Sequence, residues 1–412
     1  MAPHSLASSR PAPLRTDGSN AFARHSMAVR VPSIIDDVIE RNADYPPEIS
    51  DAFRRLRDEI AGDAPLRLFA LPSPDFDLWR PRFSDHAKES WLDAEWFFAE
   101  MLAYRLMMEA GRYWSTLRDP FAPFKREELS SKALWSLLDE ALALEGPIEE
   151  RIYRMLLLNL WGNRIDLSLS NVAAKGTGAS QEHLLADHAS LAARHLTGDR
   201  GDGPAGAAAR ASGIREPGTV HVIMDNAGTE EAMDLVLADL LLREDLAVNV
   251  VMHVKQLPVL VSDVITADVH EMVEAMKARG AEASRLADRL GGYLVSGRLR
   301  LVPDAFWNTD GRLWELPARL VEAFEGASLV IGKGDVNYRR ATNDALWPLE
   351  TTLAEAVGTF PAPVLLLRTL KSDTLVEVAP DRAAALDADE PDWRTNGSYG
   401  VSQYAFGPPV IR

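Results

Sequence analysis

The chain contains no cysteine. That excludes disulfides, thiolate metal sites and cysteine nucleophiles, and it is compatible with a reducing, cytoplasmic setting. No stretch approaches the roughly 18 consecutive apolar residues of a membrane-spanning helix. Residues 1–25 lack the apolar run of a signal peptide and read as a disordered leader. Positive charge is also scarce: 44 Lys and Arg stand against 61 Asp and Glu, for a formal net charge of −17. Such an excess repels phosphate backbones and anionic lipid, so neither nucleic acid nor membrane is an expected partner. A small phosphorylated metabolite stays open, because a local basic pocket can sit on an acidic protein. The nine histidines form no HExxH pair, so a zincin is not expected.

What is present is ordinary globular composition, 47% hydrophobic and 25% charged over 412 residues, enough for two domains. Residues 26–196 read as helical. Trp91–Ala110 is apolar on more than one face, and Ser130–Leu144 and Glu149–Leu160 continue in helical period. Residues 197–218 are rich in Gly, Ala and charge, and read as a flexible connection. Beyond it, in 219–412, short β-rich runs alternate with helical ones. The strand candidates are Thr219–Met224, Ala247–His253, Leu299–Val302, Ser328–Ile331 and Pro363–Leu367. Helices are expected between them, over Glu230–Arg243, Val264–Arg279 and Pro317–Phe324. Apolar strands alternating with helices predict an α/β fold, a Rossmann-like parallel sheet covered on both faces, following a helical N-terminal domain.

In such sheets ligands bind at the carboxyl ends of the strands. The first strand runs into Asp225-Asn226-Ala227-Gly228-Thr229-Glu230, and PVLVSD ends at Asp263. SLVIG leads to Lys333-Gly334-Asp335-Val336-Asn337-Tyr338-Arg339-Arg340, and PVLLL to Arg368-Thr369-Leu370-Lys371. Carboxylate and amide oxygens without thiolate or paired imidazole are hard ligands, suited to Mg²⁺ or Mn²⁺. Asp225, Asn226 and Asp263 supply three such oxygens. Lys333, Arg339, Arg368 and Lys371 match a phosphate, and Gly228 with the helix after it would bring backbone N–H groups to the same anion. Each motif also has a plainer reading. Asp-Asn-Ala-Gly is often a turn, Asp263 can be a helix N-cap, and KGDVNYRR can be a solvated loop. The argument rests on their coincidence at strand ends. Gly326…Lys333-Gly334 misses the phosphate-loop spacing by one residue, and no Ser or Thr follows the lysine.

These segments carry a resemblance. WFFAE (96–100), DPF (119–121) with Lys125, NLWGNRIDLS (159–168), DNAGTE (225–230), PVLVSD (258–263), KGDVNYRR (333–340) and RTLK (368–371) occur in family order. Together they resemble the damage-control phosphatases, in the branch called acidic-residue methyltransferase-like, subfamily III, whose signature is RTxK. The resemblance implies a divalent metal (Mn²⁺, Mg²⁺, Co²⁺ or Ni²⁺) held by Asp225, Asn226 and Asp263. It implies hydrolysis of small sugar-phosphate monoesters such as fructose 1-phosphate. Asp225, Asn226, Asp263 and Lys333 would be catalytic. Substrate contacts would come from Glu230, Asp335, Asn337, Tyr338, Arg339, Arg368 and Lys371.

Two further expectations concern sugar hydroxyls. Asn163 and Asp166 in GNRID either reach them or belong to a helix C-cap at Gly162. Glu95, placed on a buried helix, needs a partner, which a hydroxyl or Arg105 would provide. The rival functions are an S-adenosylmethionine-dependent protein carboxyl methyltransferase using Glu230 and Asp263, a pathway-specific phosphate-ester enzyme, and a sugar-phosphate sensor.

Overall fold

The computed structural model describes residues 10–70, 73–162, 182–198 and 217–406. Its strands are β1 (Leu184–Asp187), β2 (Gly218–Ile223), β3 (Ala247–Lys255), β4 (Leu299–Asp304), β5 (Leu329–Lys333), β6 (Val364–Thr369) and β7 (Gly400–Ala405). They form a seven-stranded sheet in the order β1-β7-β6-β5-β2-β3-β4. Neighbours pair in parallel, except that β6 and β7 are antiparallel. The five strands read from the sequence are all present, within a few residues. They are largely apolar because helices or loops cover much of both faces of the sheet.

Side chains alternate between those faces. Val220, Val222, Ile331, Leu365 and Leu367 pack with helices Lys132–Leu142, Ile148–Trp161, Ala189–Thr197 and Thr229–Arg243. Ile223, Val330, Val364 and Leu366 pack on the opposite side with Phe306, Trp307, Phe324 and Trp393. A third core holds the helical layer, built around helix Trp96–Ala110, which is buried almost all round, as its lack of a polar face predicts. Each aromatic side chain fully buried there contributes about 2–3 kcal/mol of apolar transfer.

Three sequence expectations need correction. Residues 10–25, assigned to a disordered leader, are ordered. Leu14 exchanges backbone hydrogen bonds with Asp344 and Trp96, Thr16 donates to Ala94, and Ala21–His25 is helical under an Asn20 cap. Residues 26–196 are not helical throughout, since β1 lies among them and pairs with β7. Its four residues are too few to show a period. Of the 197–218 connection, residues 199–216 lie outside the described residues, and the cores divide earlier in the chain. Residues 134–193 share one core with the sheet, whereas residues 14–121 form their own core with Leu257, Val259 and Val336. No helix among the described residues is long and apolar enough to cross a membrane.

Candidate active site

The chain leaves β2 for β3 on one side, while β5 lies on the other. The carboxyl ends of β2 and β5 therefore flank a topological switch point, where an open α/β sheet leaves a crevice. Asp225 and Asn226 follow β2, and Lys333 and Gly334 close β5 and open the next helix. Residues 258–263 do not extend a strand. They form a loop with Leu260 and Val261 in the left-handed region, and that turn folds Asp263 back beside Asn226. Val264 N–H donates to Asp225 O at 2.8 Å and Ala227 N–H to Ser262 O at 2.7 Å. Two segments distant in sequence thus bring Asp225, Asn226 and Asp263 together.

The side chains there form a dense acidic group. Asn226 Nδ2 donates to Asp225 Oδ2 at 2.9 Å and to Glu230 Oε1 at 2.7 Å, and its Oδ1 accepts from Ser262 Oγ. Burial, then the charges of Glu230 and Asp263, push the Asp225 carboxyl well above the usual carboxylate range. Burial also raises Asp263, against the pull of Lys255. The Lys255 ammonium lies 3.1 Å from Asp263 Oδ2 and donates to Met224 O at 2.8 Å. That Oδ2 is buried, with Lys255 as its ion-pair partner and no other donor among the described residues.

Helix Gly334–Ala341 starts against this group. Gly334 has φ +79°, and a Cβ built there falls 1.8 Å from Asp225 Oδ2. Its N-cap, Lys333, makes no capping hydrogen bond from its side chain. The Lys333 ammonium instead donates to Asn159 Oδ1 at 2.6 Å and Asp234 Oδ1 at 2.9 Å, and lies 3.9 Å from Glu230 Oε2.

Of the four cations expected to face a phosphate, three are buried and committed to protein groups. Lys333 is held as described. Arg339 pairs with Glu100 at 2.6 Å and Asp344 at 2.8 Å, and stacks on Trp96 and Phe97. Arg368 donates to Asp335 Oδ1 at 2.7 Å, to the carbonyls of Thr374 and Ser372, and to Ser372 Oγ. Burial alone would raise Asp335, but Arg368 and Arg339 outweigh it and hold the carboxyl below its usual range. Lys371 is exposed. Its backbone N–H donates to Asp335 Oδ1 at 3.3 Å, and its charge acts on both Asp225 and Glu128.

The remaining expected residues scatter. Tyr338 is buried, donating to Gln403 and accepting from Val376 N–H. Asn337 is buried with Nδ2 on Lys333 O at 2.7 Å, and its Oδ1 has no partner among the described residues. Glu95 is the N-cap position of helix Trp96–Ala110, 3.7 Å from Arg312. Its expected partner Arg105 pairs with Asp75 instead. Asn163 and Asp166 lie outside the described residues. The anion expected at the start of helix Thr229–Arg243 is also displaced, because Thr229 N–H donates to Glu128 Oε1 and Gly228 N–H to Glu231 Oε2. Sequence reasoning missed Lys255, Asp234 and Asn159. The available signal was helix Thr229–Arg243 itself, whose acids at 230, 231, 234 and 239 occupy no single exposed face.

The sequence matches the damage-control phosphatase ARMT1-like domain over residues 26–386. It is 29% identical to damage-control phosphatase ARMT1 of Danio rerio over 443 residues, covering 96% of this chain and 97% of that protein. The Homo sapiens protein of the same name is 27% identical over 438 residues, covering 96% and 98%. A crystal structure of a DUF89 family protein from Pyrococcus horikoshii is similar with a TM-score of 0.48 and 14% identity, over 93% of this chain and 98% of that one. The chain belongs to the damage-control phosphatase ARMT1-like family.

Proposed function

We propose that this protein is a divalent-metal-dependent phosphatase of small sugar-phosphate monoesters, of the fructose 1-phosphate type. The observation that supports this most is Asp225 packed against the uncapped start of helix Gly334–Ala341, with Asn226, Glu230 and Asp263 beside it. Among the described residues no three His, Cys, Asp or Glu are arranged to hold a metal, so the proposed set depends on the Asn226 amide as its third ligand. The residues fit such an ion. Their oxygens are hard donors, the carboxylates crowd one another, and the buried Asp263 Oδ2 has, among the described residues, only the Lys255 ammonium beside it. Asp225, Asn226 and Asp263 would hold it. When bound, the dication supplies positive charge and Lewis acidity at the phosphoryl group.

The protein's own groups do the rest. The first-turn N–H groups of helix Gly334–Ala341 have no side-chain cap, and a helix start in that condition receives phosphoryl oxygens. Asp335 in that turn would repel them, but Arg368 neutralises it and fixes it as an acceptor for Lys371 N–H. Lys371 then stands at the mouth as the mobile cation that offsets charge developing on the transferred group. Lys333 and Lys255 stay buried and hold Asp234, Glu230 and Asp263 in position. Phosphate release from fructose 1-phosphate, measured with Mn²⁺, after chelation and after Mn²⁺ is restored, tests the reading. Release should need the ion and return with it. Full release after exhaustive chelation, with no metal found by elemental analysis, overturns it.

A further inference from the structure

Next to the segments that carry Asp225 and Asp263 lies a second charged group that the phosphatase reading leaves unused. Lys125, on helix Ala122–Leu129, is 7% exposed. Its ammonium lies 3.0 Å from Asp119 Oδ2 and 2.7 Å from Asp268 Oδ2. Glu231, 1% exposed, lines the same small cavity as Lys125, Asp268 and Gly228. That cavity holds about 20 Å³, room for a water molecule and far too small for a metabolite. The cluster is therefore not a ligand site. A buried lysine with two carboxylates at contact distance is a tie.

What it ties can be followed atom by atom. Asp119 Oδ1 accepts from Phe121 N–H at 2.7 Å, fixing the near end in the turn before helix Ala122–Leu129. At the far end Asp268 Oδ2, besides meeting Lys125, accepts from Ile265 N–H at 2.8 Å. Ile265 is two residues past Asp263. Its neighbour Val264 donates to Asp225 O at 2.8 Å. Glu231, also under the field of Lys125, accepts from Gly228 N–H at 3.1 Å, two residues past Asn226. The Lys125 charge also acts on Asp263 itself.

Resting on the functional reading above, we propose that Lys125 is a positioning residue for metal binding: through Asp268 it sets the backbone of the segment that presents Asp263 and bonds to Asp225. Groups that orient metal ligands without touching the ion are commonly worth about 10–100-fold in affinity. Lys125→Met keeps the apolar stem and removes the charge that joins Asp119 to Asp268.

The test is calorimetric titration of the full-length chain with Mn²⁺ alone, alongside thermal unfolding. Lys125→Met should bind Mn²⁺ roughly 10–100-fold more weakly than wild type. The comparison variant is Arg105→Met, which breaks the equally buried Arg105–Asp75 pair (2.5 Å) within the helical layer. It should lose thermal stability yet keep wild-type Mn²⁺ affinity. Lys125→Arg, which retains a cation, should recover most of the affinity. If Lys125→Met does not fold, Asp119→Asn loosens one end of the tie and should weaken Mn²⁺ binding several-fold. Wild-type affinity in whichever of these variants folds overturns the inference, as does an equal loss in Arg105→Met. Those results would leave the functional reading standing if wild type binds Mn²⁺. Absence of Mn²⁺ binding by wild type removes both.

Discussion

Gly334 has no side chain because Asp225 occupies the space. A Cβ there would sit 1.8 Å from Oδ2, closer than any non-bonded pair allows, and φ is +79°. Gly334→Ala would add left-handed strain of about 1–2 kcal/mol and push either the helix start or the Asp225 carboxylate aside. The helix is buried from Val336 to Ala341, so the variant should show a lowered melting temperature. Phosphate release should fall by about 100-fold or more, since misplacement of about 1 Å at a reacting centre has that effect. Wild-type turnover by Gly334→Ala would show that the contact is not part of the site.

Arg368 and Lys371 share the RTLK segment but should fail in different ways. Arg368 is fully buried and holds Asp335. Arg368→Ala leaves that carboxylate unpaired, a change typically worth about 3–5 kcal/mol, and should be seen first as a loss of thermal stability. Lys371 is exposed, and such substitutions usually move stability by no more than about 0.5 kcal/mol. Lys371→Ala should melt like wild type and lose about 100-fold in phosphate release. A drop in melting temperature with turnover spared in the folded fraction would reassign Lys371 to a structural role.

How much of this was legible in sequence follows from physics. Strands β2, β3, β5 and β6 announce themselves because burial on both faces demands mostly apolar residues. β7 does not, because it buries Ser402 and Gln403, whose polarity hides a strand that is identified by its partners. Residues 225, 226 and 334 at strand ends could be placed together from topology alone, whereas Asp263 reaches them through a loop with Leu260 and Val261 in the left-handed region. Which cations are free could not. Lys333, Arg339 and Arg368 look the same in sequence as Lys371, and only the positions of Asp234, Glu100, Asp344 and Asp335 separate them. Partner choice is a tertiary property with no local period.

The histidine pair between β2 and β3 makes stability depend on pH. His221 Nδ1 and His253 Nε2 are 2.9 Å apart, buried against Phe324 and, for His253, Trp307. Their bond needs an acceptor nitrogen, hence a neutral ring. Burial, helped by Arg300, lowers His221 to about 4, and burial with His221 nearby lowers His253 to about 3. In the unfolded chain both titrate near about 6.5. Their contribution is therefore present above that pH and lost as pH falls toward 4, with a slope of at most about 1.4 kcal/mol per unit for each ring. Asp234, raised by burial to about 6, works oppositely, so the useful quantity is a difference between proteins. Between pH 7.5 and 5, denaturant unfolding should show wild type losing about 2 kcal/mol more than His253→Gln. Parallel pH profiles would show that the pair does not titrate on unfolding.

Asp263→Asn distinguishes phosphatase from carboxyl methyltransferase. In the phosphatase reading Asp263 is an anionic metal ligand, and its buried Oδ2 has only the Lys255 ammonium beside it among the described residues. The amide keeps the shape and removes the charge. A neutral oxygen is a poorer partner for a hard dication, and the set would retain only the charge of Asp225. Phosphate release should fall by orders of magnitude and recover in part at high Mn²⁺. The change also leaves Lys255 without its carboxylate, so melting temperature must be followed in parallel. In the methyltransferase reading Asp263 would hydrogen-bond the ribose or amino group of S-adenosylmethionine, as acids do in nucleotide sites. The loss would then fall on cofactor affinity and ignore metal. Calorimetric titration of wild type and Asp263→Asn with Mn²⁺, then with S-adenosylmethionine, reads both. Mn²⁺ binding should weaken in the variant, with little cofactor binding in either protein. Tight, metal-independent cofactor binding that Asp263→Asn abolishes would replace the phosphatase assignment with the methyltransferase one.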